Sequence, residues 1–252
     1  MKTRYAFSIV LMGCLLQAPQ SYAQQAYPDD PVEASATYED VHAEDSLESF
    51  NRPVFSFNLG VDDYVVKPVS QAYHWIAPEP VRNGVSHVFE NLSEPVNFIN
   101  GVLQLSPTKA FSSFWRFALN STFGLAGTFD FAGQYGNLPY QQNGFSQTLD
   151  HYGMPTGAYL VVPLLGPSTI RDTTGDVVDF VTDPFNYIIP TNPGYALDIT
   201  QAIDTRDQNA VLVDELYYNA LEPYVATRSA YLQNRSFQSR TGKTVNLNQQ
   251  QP

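Results

Sequence analysis

Asp172, Asp176, Asp179 and Asp183 recur at i, i+4, i+7 and i+11. On a helix that spacing stacks four carboxylates along one side. Such a stripe could move protons, hold a hard cation or border a polar passage. A calcium loop needs oxygen ligands at alternate positions, and this spacing does not supply them. Charged stripes most often just meet water. Against that bland alternative stands a functional one, an acidic wall along a polar passage, with Arg171 offsetting part of its field. His151 beside Asp150 is a second candidate for acid–base chemistry, but nothing else in the chain assembles a site around it. The other histidines, His42, His74 and His87, are far from it and from one another in sequence. No Gly-x-Ser-x-Gly elbow, phosphate-binding glycine loop, His-Glu-x-x-His or Cys-x-x-Cys is present, so catalysis, a metal and a cofactor are all disfavoured.

The elements that would position these residues centre on Phe131–Ile170. This stretch holds Asp150 as its single formal charge, and ten Gly or Pro residues break it up. That rules out one long helix. Tyr135, Tyr140, Phe145, Tyr152, Tyr159 and the run Leu160-Val161-Val162 make it too apolar for a solvated linker. Its backbone polar groups must find cover in protein or around a wet cavity.

Around it the chain reads as helices. Phe50, Val54, Phe57, Val61, Tyr64 and Val65 give helical spacing over Phe50–Ile76, with interruptions predicted at Pro53 and Pro68 and a corner at Ala77-Pro78-Glu79-Pro80. Asp45 with Glu48 has the form of a capping box. Short helices are predicted over Val81–Asn91 and Pro95–Leu105. Ser106 then caps a fourth whose first residue is Pro107. On that helix Phe111, Phe114, Trp115 and Ala118 share a face while Phe117 lies off it, and no charge occurs from Phe117 to Phe129. As helix those residues would rise about 20 Å, too short to cross a bilayer. An apolar surface of this kind is buried or sits in lipid, buried being the commoner case. Phe185–Tyr195 reads as a Pro-rich connection. An amphipathic helix follows from Ile199 to a kink before Pro223, with Arg228, Arg235 and Arg240 near its C-terminal end. Asn91-Leu92-Ser93 and Asn120-Ser121-Thr122 match the glycosylation sequon by chance.

The ends add a compartment. Lys2 and Arg4, the apolar run Tyr5–Leu16 and Ser21-Tyr22-Ala23 form a secretory signal peptide over residues 1–23. Leu11-Met12-Gly13-Cys14 competes as a lipobox with Cys14 lipidated, although Leu15-Leu16 carry the apolar run past it; cleavage after Ala23 fits better. Residues 24–45 are an acidic tether, 46–237 a single domain and 238–252 a polar, disordered tail. The formal net charge is −12, which argues against nucleic acid and against adsorption through basic patches. Attachment to a membrane would have to come from apolar burial.

Several motifs in unbroken order resemble the MlaA (VacJ) family of outer-membrane proteins. They are Phe50-Asn51-Arg52-Pro53-Val54-Phe55-Ser56-Phe57-Asn58, Val81-Arg82-Asn83-Gly84, Asn91-Leu92-Ser93-Glu94-Pro95, and Arg116-Phe117-Ala118-Leu119-Asn120-Ser121-Thr122. Gly124-Leu125-Ala126-Gly127, Asp130-Phe131-Ala132-Gly133, His151-Tyr152-Gly153, Pro163-Leu164-Leu165-Gly166 and Ile170-Arg171-Asp172 with Gly175-Asp176 complete the set, across about Glu44 to Arg240. The resemblance implies a mainly α fold, a compact ring-like helical domain in the inner leaflet of the outer membrane. Its irregular Gly/Pro-rich centre would surround an amphipathic channel. It implies non-enzymatic transport of mislocalised phospholipids to an MlaC-like periplasmic lipid carrier, in association with a trimeric porin. Phe111, Phe114, Trp115, Phe117 and Phe123 would then face lipid, Arg171, Asp172, Asp176 and Asp179 would border the channel, and Phe50 and Asn51 would set the ring's open or closed state. The rival is a soluble periplasmic scaffold or hydrolase whose central stretch is merely core.

Overall fold

The computed structural model of the chain describes residues 45–248, with side chains for 45–190 and 193–240. The signal peptide with Cys14, and the tether as far as Glu44, lie outside those residues. Helix α1, Glu48–Val61, passes through a π-helical turn, Asp62–Val66, into α2, Lys67–Ile76. Neither predicted interruption ends the helix. Pro53 costs one backbone bond near the start, and Pro68 follows the wider π turn, which displaces the carbonyl its ring would strike. Extended Ala77 makes the predicted corner.

Helix α3 then runs Glu79–Leu103 straight through Pro95, where the sequence suggests two helices. The missing N–H at Pro95 is outweighed by Asn91, Glu94 and Asn97 on either side of it, which are buried and bonded to neighbouring elements. Helix α4, Pro107–Thr122, starts at Pro107 as expected, although the Ser106 side chain makes no capping bond. It stops at Thr122, so the uncharged run to Phe129 is not one rod. Leu125, Ala126 and Gly127 take left-handed backbone (φ 52°, 58° and 93°) and turn the chain back. Glycine is required at 127, because a Cβ there would lie 2.7 Å from that of Asn91.

The central stretch folds as α5, Phe131–Gly136, α6, Phe145–His151, and an antiparallel hairpin of β1, Tyr159–Val162, and β2, Gly166–Thr169. Thr169 opens α7, Ile170–Thr182, by accepting the Asp172 N–H at 3.1 Å. The remaining helices are α8, Phe185–Ile188, α9, Thr191–Gln208, α10, Ala210–Asp214, a second π turn, Glu215–Asn219, and α11, Pro223–Asn248. The helix predicted from Ile199 has its expected interruption just before Pro223, at Ala220–Glu222, and an unexpected one at Asn209. Helix α11 continues to Asn248, so the expected tail from Gln238 is helical that far. Arg228, Arg235 and Arg240 lie along α11 rather than at its end.

Contacts between elements close into a circuit: α1 to β1, β2, α7, α6, α3, α9, α2 and, through the π turn, back to α1. The result is a helical, ring-like single domain. Its apolar core sits at one side, where Phe55, Tyr159, Val161, Val213, Tyr217, Tyr224 and Tyr231 meet. Phe55 packs edge-on against Tyr217 and Tyr224, each with ring centres 5.6 Å apart; such pairs add about 0.5–1.5 kcal/mol beyond area burial.

Candidate functional site

Helices α3 and α4 pack with their polar faces inward. Arg116 is 1% exposed and Glu94 likewise. The Arg116 Nε donates to Glu94 at 2.5 Å, an Nη1 lies 3.1 Å from Asp130, and Nη1 also donates to the Leu138 carbonyl. Glu90 stands 3.6 Å from Nη2, and the guanidinium lies over the Tyr140 ring. Burial pushes the Glu90 carboxyl up to about 7, with Arg116 pulling the other way. A buried pair like Arg116–Glu94 adds little net stability, but removing one partner strands the other charge at about 3–5 kcal/mol.

The seam continues along α3 at helical spacing. Asn97 accepts the Asn143 N–H at 2.8 Å, Asn100 donates to Asp179 at 2.8 Å, and Gln104 donates to Asn143 and Thr148 at 2.9 Å each. Thr148 donates in turn to Asn100 at 2.8 Å, and Lys109 to Gln104 at 2.7 Å. Asn91 and Asn120 are buried in this framework, which excludes glycosylation of the folded chain at either sequon.

The opposite faces carry hydrocarbon. Phe98, Phe111, Phe114 and Trp115 are exposed and in mutual ring contact, with centres 5.5–6.2 Å apart. Phe123 is exposed as well, whereas Phe117 is partly covered, its ring 6.5 Å from Phe185. Composition favours burial for this face, and the structure reverses that: the polar residues are the core and the aromatic ones the surface.

Helix α7 repeats the inversion, and its aspartates are not a solvated face. Asp172 is wholly buried, accepting from the Tyr231 hydroxyl at 2.6 Å and from Arg235 Nε at 2.9 Å. Asp179 accepts from Asn100 and, at 2.7 Å, from the Phe145 N–H. Half-buried Asp176 is pushed up to about 7 by burial, with Arg235 opposing and Asp172 and Asp179 adding; burial also lifts Asp179 to about 6. Arg171 is buried against Asp150 at 2.6 Å and the Met154 carbonyl at 3.2 Å. Asp172, Asp179 and Arg171 therefore brace α7 against α11, α3 and α6, and of the four predicted residues only Asp176 retains a partly open carboxylate. Ile170, Val177 and Val181 face outward; Leu160, Ile170, Thr173, Thr174, Val177 and Val178 line an open apolar cleft of roughly 340 Å³. Gly175 lets α6 approach, since a Cβ there would meet the Ser146 N at 2.4 Å.

Asn51 and Phe50 separate in space. Asn51 is wholly buried, donating to the Tyr159 carbonyl at 3.0 Å and accepting the Val161 N–H at 2.8 Å, while Phe50 is exposed. Asn51 also donates to Asp45, which accepts from the Tyr224 hydroxyl and the Leu47 N–H and so ties α1 to α11 in place of the predicted capping box. The His151–Asp150 pair does not form a dyad: Asp150 is engaged by Arg171, and His151 is exposed. Among the described residues no group of three or more His, Cys, Asp or Glu side chains could hold a metal.

Arg116, Glu94, Asn97, Asn100, Gln104, Asn143 and Asn58 escape the sequence argument. A signal exists for the α3 set, amides and a carboxylate three or four apart between apolar residues, but read by the usual rule it marks the wet side of a helix.

The class of protein is a helical ring with a polar interior, an apolar outer face and, among the described residues, no helix long and apolar enough to cross a membrane. A family model for the MlaA lipoprotein matches residues 43–238. The chain belongs to the MlaA family. It is 38% identical to the intermembrane phospholipid transport system lipoprotein MlaA of Haemophilus influenzae, over 82% of this chain and 84% of that one. Against the protein of the same name from Escherichia coli K12 the identity is 36%, covering 79% and 80%. A solved structure concerned with the structural basis for maintenance of bacterial outer membrane lipid asymmetry superposes with TM-score 0.68 at 34% identity, covering 78% of this chain and 99% of that one.

Proposed function

We propose that this chain moves phospholipids at the outer membrane, taking those misplaced in the outer leaflet through the ring to an MlaC-like periplasmic carrier, beside a trimeric porin. The observation that carries this reading is the inversion of α3, α4 and α7. Exposed Phe98, Phe111, Phe114, Trp115 and Phe123 suit hydrocarbon, while the inward polar groups, bonded to one another, hold the helices together without an apolar core. A helix apolar outward and too short to span fits one leaflet. Names and subject matter among the relatives, phospholipid transport and outer membrane lipid asymmetry, point the same way.

No covalent step is needed, because passage down a lipid gradient requires only an aperture. Half-buried Asp176 would border it, with Arg171, Asp172 and Asp179 holding that border in place. Phe50 and Asn51 would set the state of the ring, Asn51 through its grip on β1. The relatives' description as lipoproteins favours Cys14 as a lipidated first residue over cleavage after Ala23, and the mass of the mature N-terminus distinguishes the two. Deleting the gene should raise surface-exposed phospholipid and detergent sensitivity, and the protein should fractionate with the outer membrane and need detergent to leave it. Release by osmotic shock, with asymmetry intact in the deletion strain, would instead support a periplasmic scaffold.

A further inference from the structure

We propose that Asn58 is a positioning residue for lipid passage, forming with Asn51 a two-point clasp that fixes the β1–β2 hairpin against α1; this rests on the transport reading above. The sheet among the described residues has two strands, so β1 has a free edge. Unpaired N–H and C=O groups on a buried edge are costly unless met. One side-chain amide of α1 meets them, and a second meets the turn beyond. Asn51 bonds the Tyr159 carbonyl and the Val161 N–H. Asn58 donates to the Val162 carbonyl at 2.9 Å and accepts the Leu164 N–H at 2.7 Å. Asn51 thus pairs as a residue of a third strand would, and Asn58 clasps the turn that follows β1.

The spacing is commensurate. Seven residues of helix rise about 10.5 Å, and the three extended residues from Leu160 to the start of the turn at Pro163 span about 10 Å. A hairpin slipped along α1 would lose both contacts together. The Asn58 end holds the tighter turn: Leu164 has φ 66°, left-handed backbone that a branched side chain avoids. Downstream, β2 runs directly into α7, whose N-terminus Thr169 caps. The clasp thereby sets the position of the helix that carries Asp176.

The test compares Asn58→Ala and Asn58→Asp with the wild type and the gene deletion, by hydrogen exchange on purified protein and by surface phospholipid on cells. In Asn58→Ala the Leu164 amide should exchange at least tenfold faster, with amides of the Phe55–Tyr217 core unchanged. Surface phospholipid should rise several-fold at wild-type protein level. A carboxylate can accept from Leu164 but cannot donate to Val162, whereas a protonated carboxyl can do both. Asn58→Asp should therefore exchange at Leu164 between wild type and alanine near neutral pH, and approach wild type, compared at the same pH, at about pH 4. It also stands in for the alanine variant should that fail to accumulate. Faster exchange with wild-type asymmetry would show a merely structural contact and overturn the proposal, as would unchanged exchange at Leu164. An intact surface in the deletion strain would instead sink the transport reading.

Discussion

Two regions of this ring obey opposite rules. Around Phe55, Tyr159, Val161, Val213, Tyr217, Tyr224 and Tyr231 the interior is aromatic and aliphatic, as in a protein folded in water. Beside it, joined through the Tyr231 hydroxyl on Asp172, α3, α4 and α7 bury Arg116, Glu94, Asn97, Asn100, Asp172 and Asp179 and present Phe111, Phe114, Trp115, Val177 and Val181 outward. In water the second arrangement would expose hydrocarbon and desolvate charge with no return. In a leaflet, hydrocarbon outside costs nothing, and inward polar groups bonded to one another become the specific glue between helices. The difference fits the proposed setting, with water or head groups near the tyrosine core and lipid around the seam.

Arg116→Leu should be the most damaging change to the seam. It leaves Glu94 and Asp130 without their cation, at about 3–5 kcal/mol, and should lower the melting temperature sharply; Arg116→Leu with Glu94→Leu together should regain much of the loss. Thermal unfolding in mild detergent checks both. Phe55→Ala should cost about 3–5 kcal/mol on the other side by cavity formation, with no comparable rescue by a second change. If the two regions responded alike to paired hydrophobic replacement, the contrast between them would fail.

A smaller effect separates them by pH. The folded carboxyls of Asp176 and Glu90 are raised to about 7 and that of Asp179 to about 6, from ordinary values of 3.8, 4.5 and 3.8. Between the ordinary and raised values the folded state holds more protons than the unfolded one, so stability falls as pH rises. The melting temperature should decline from about pH 4 to pH 7, and Asp176→Asn should flatten that decline. Smallest of all, Phe50→Ala should leave the unfolding free energy within about 0.5 kcal/mol of wild type, since Phe50 faces outward while Asn51 does the bonding.

Much of the fold was legible. The corner at Ala77, the start of α4 at Pro107 and the broken centre all follow from local chemistry. Proline misled where tertiary contacts outweighed it: Pro95 sits in mid-helix because Asn91, Glu94 and Asn97 bind on both sides of it. The hairpin went unseen because its turn is Pro163-Leu164-Leu165 rather than an Asn-Gly type, and its edge is completed by Asn51 and Asn58 from a hundred residues away. The aspartate stripe of α7 was visible, but not its direction. Spacing says which residues share a face, not what that face meets, and here the polar face is the buried one.

The central claim is that the aromatic face of α4 lies in hydrocarbon. The chain has two tryptophans, Trp75 and Trp115, so a Trp75→Phe variant reports on α4 alone. Reconstituted into vesicles carrying brominated acyl chains, Trp115 should be strongly quenched by the bromines and shielded from aqueous acrylamide. Quenching by acrylamide with none from the acyl chains would place α4 in water and contradict the account.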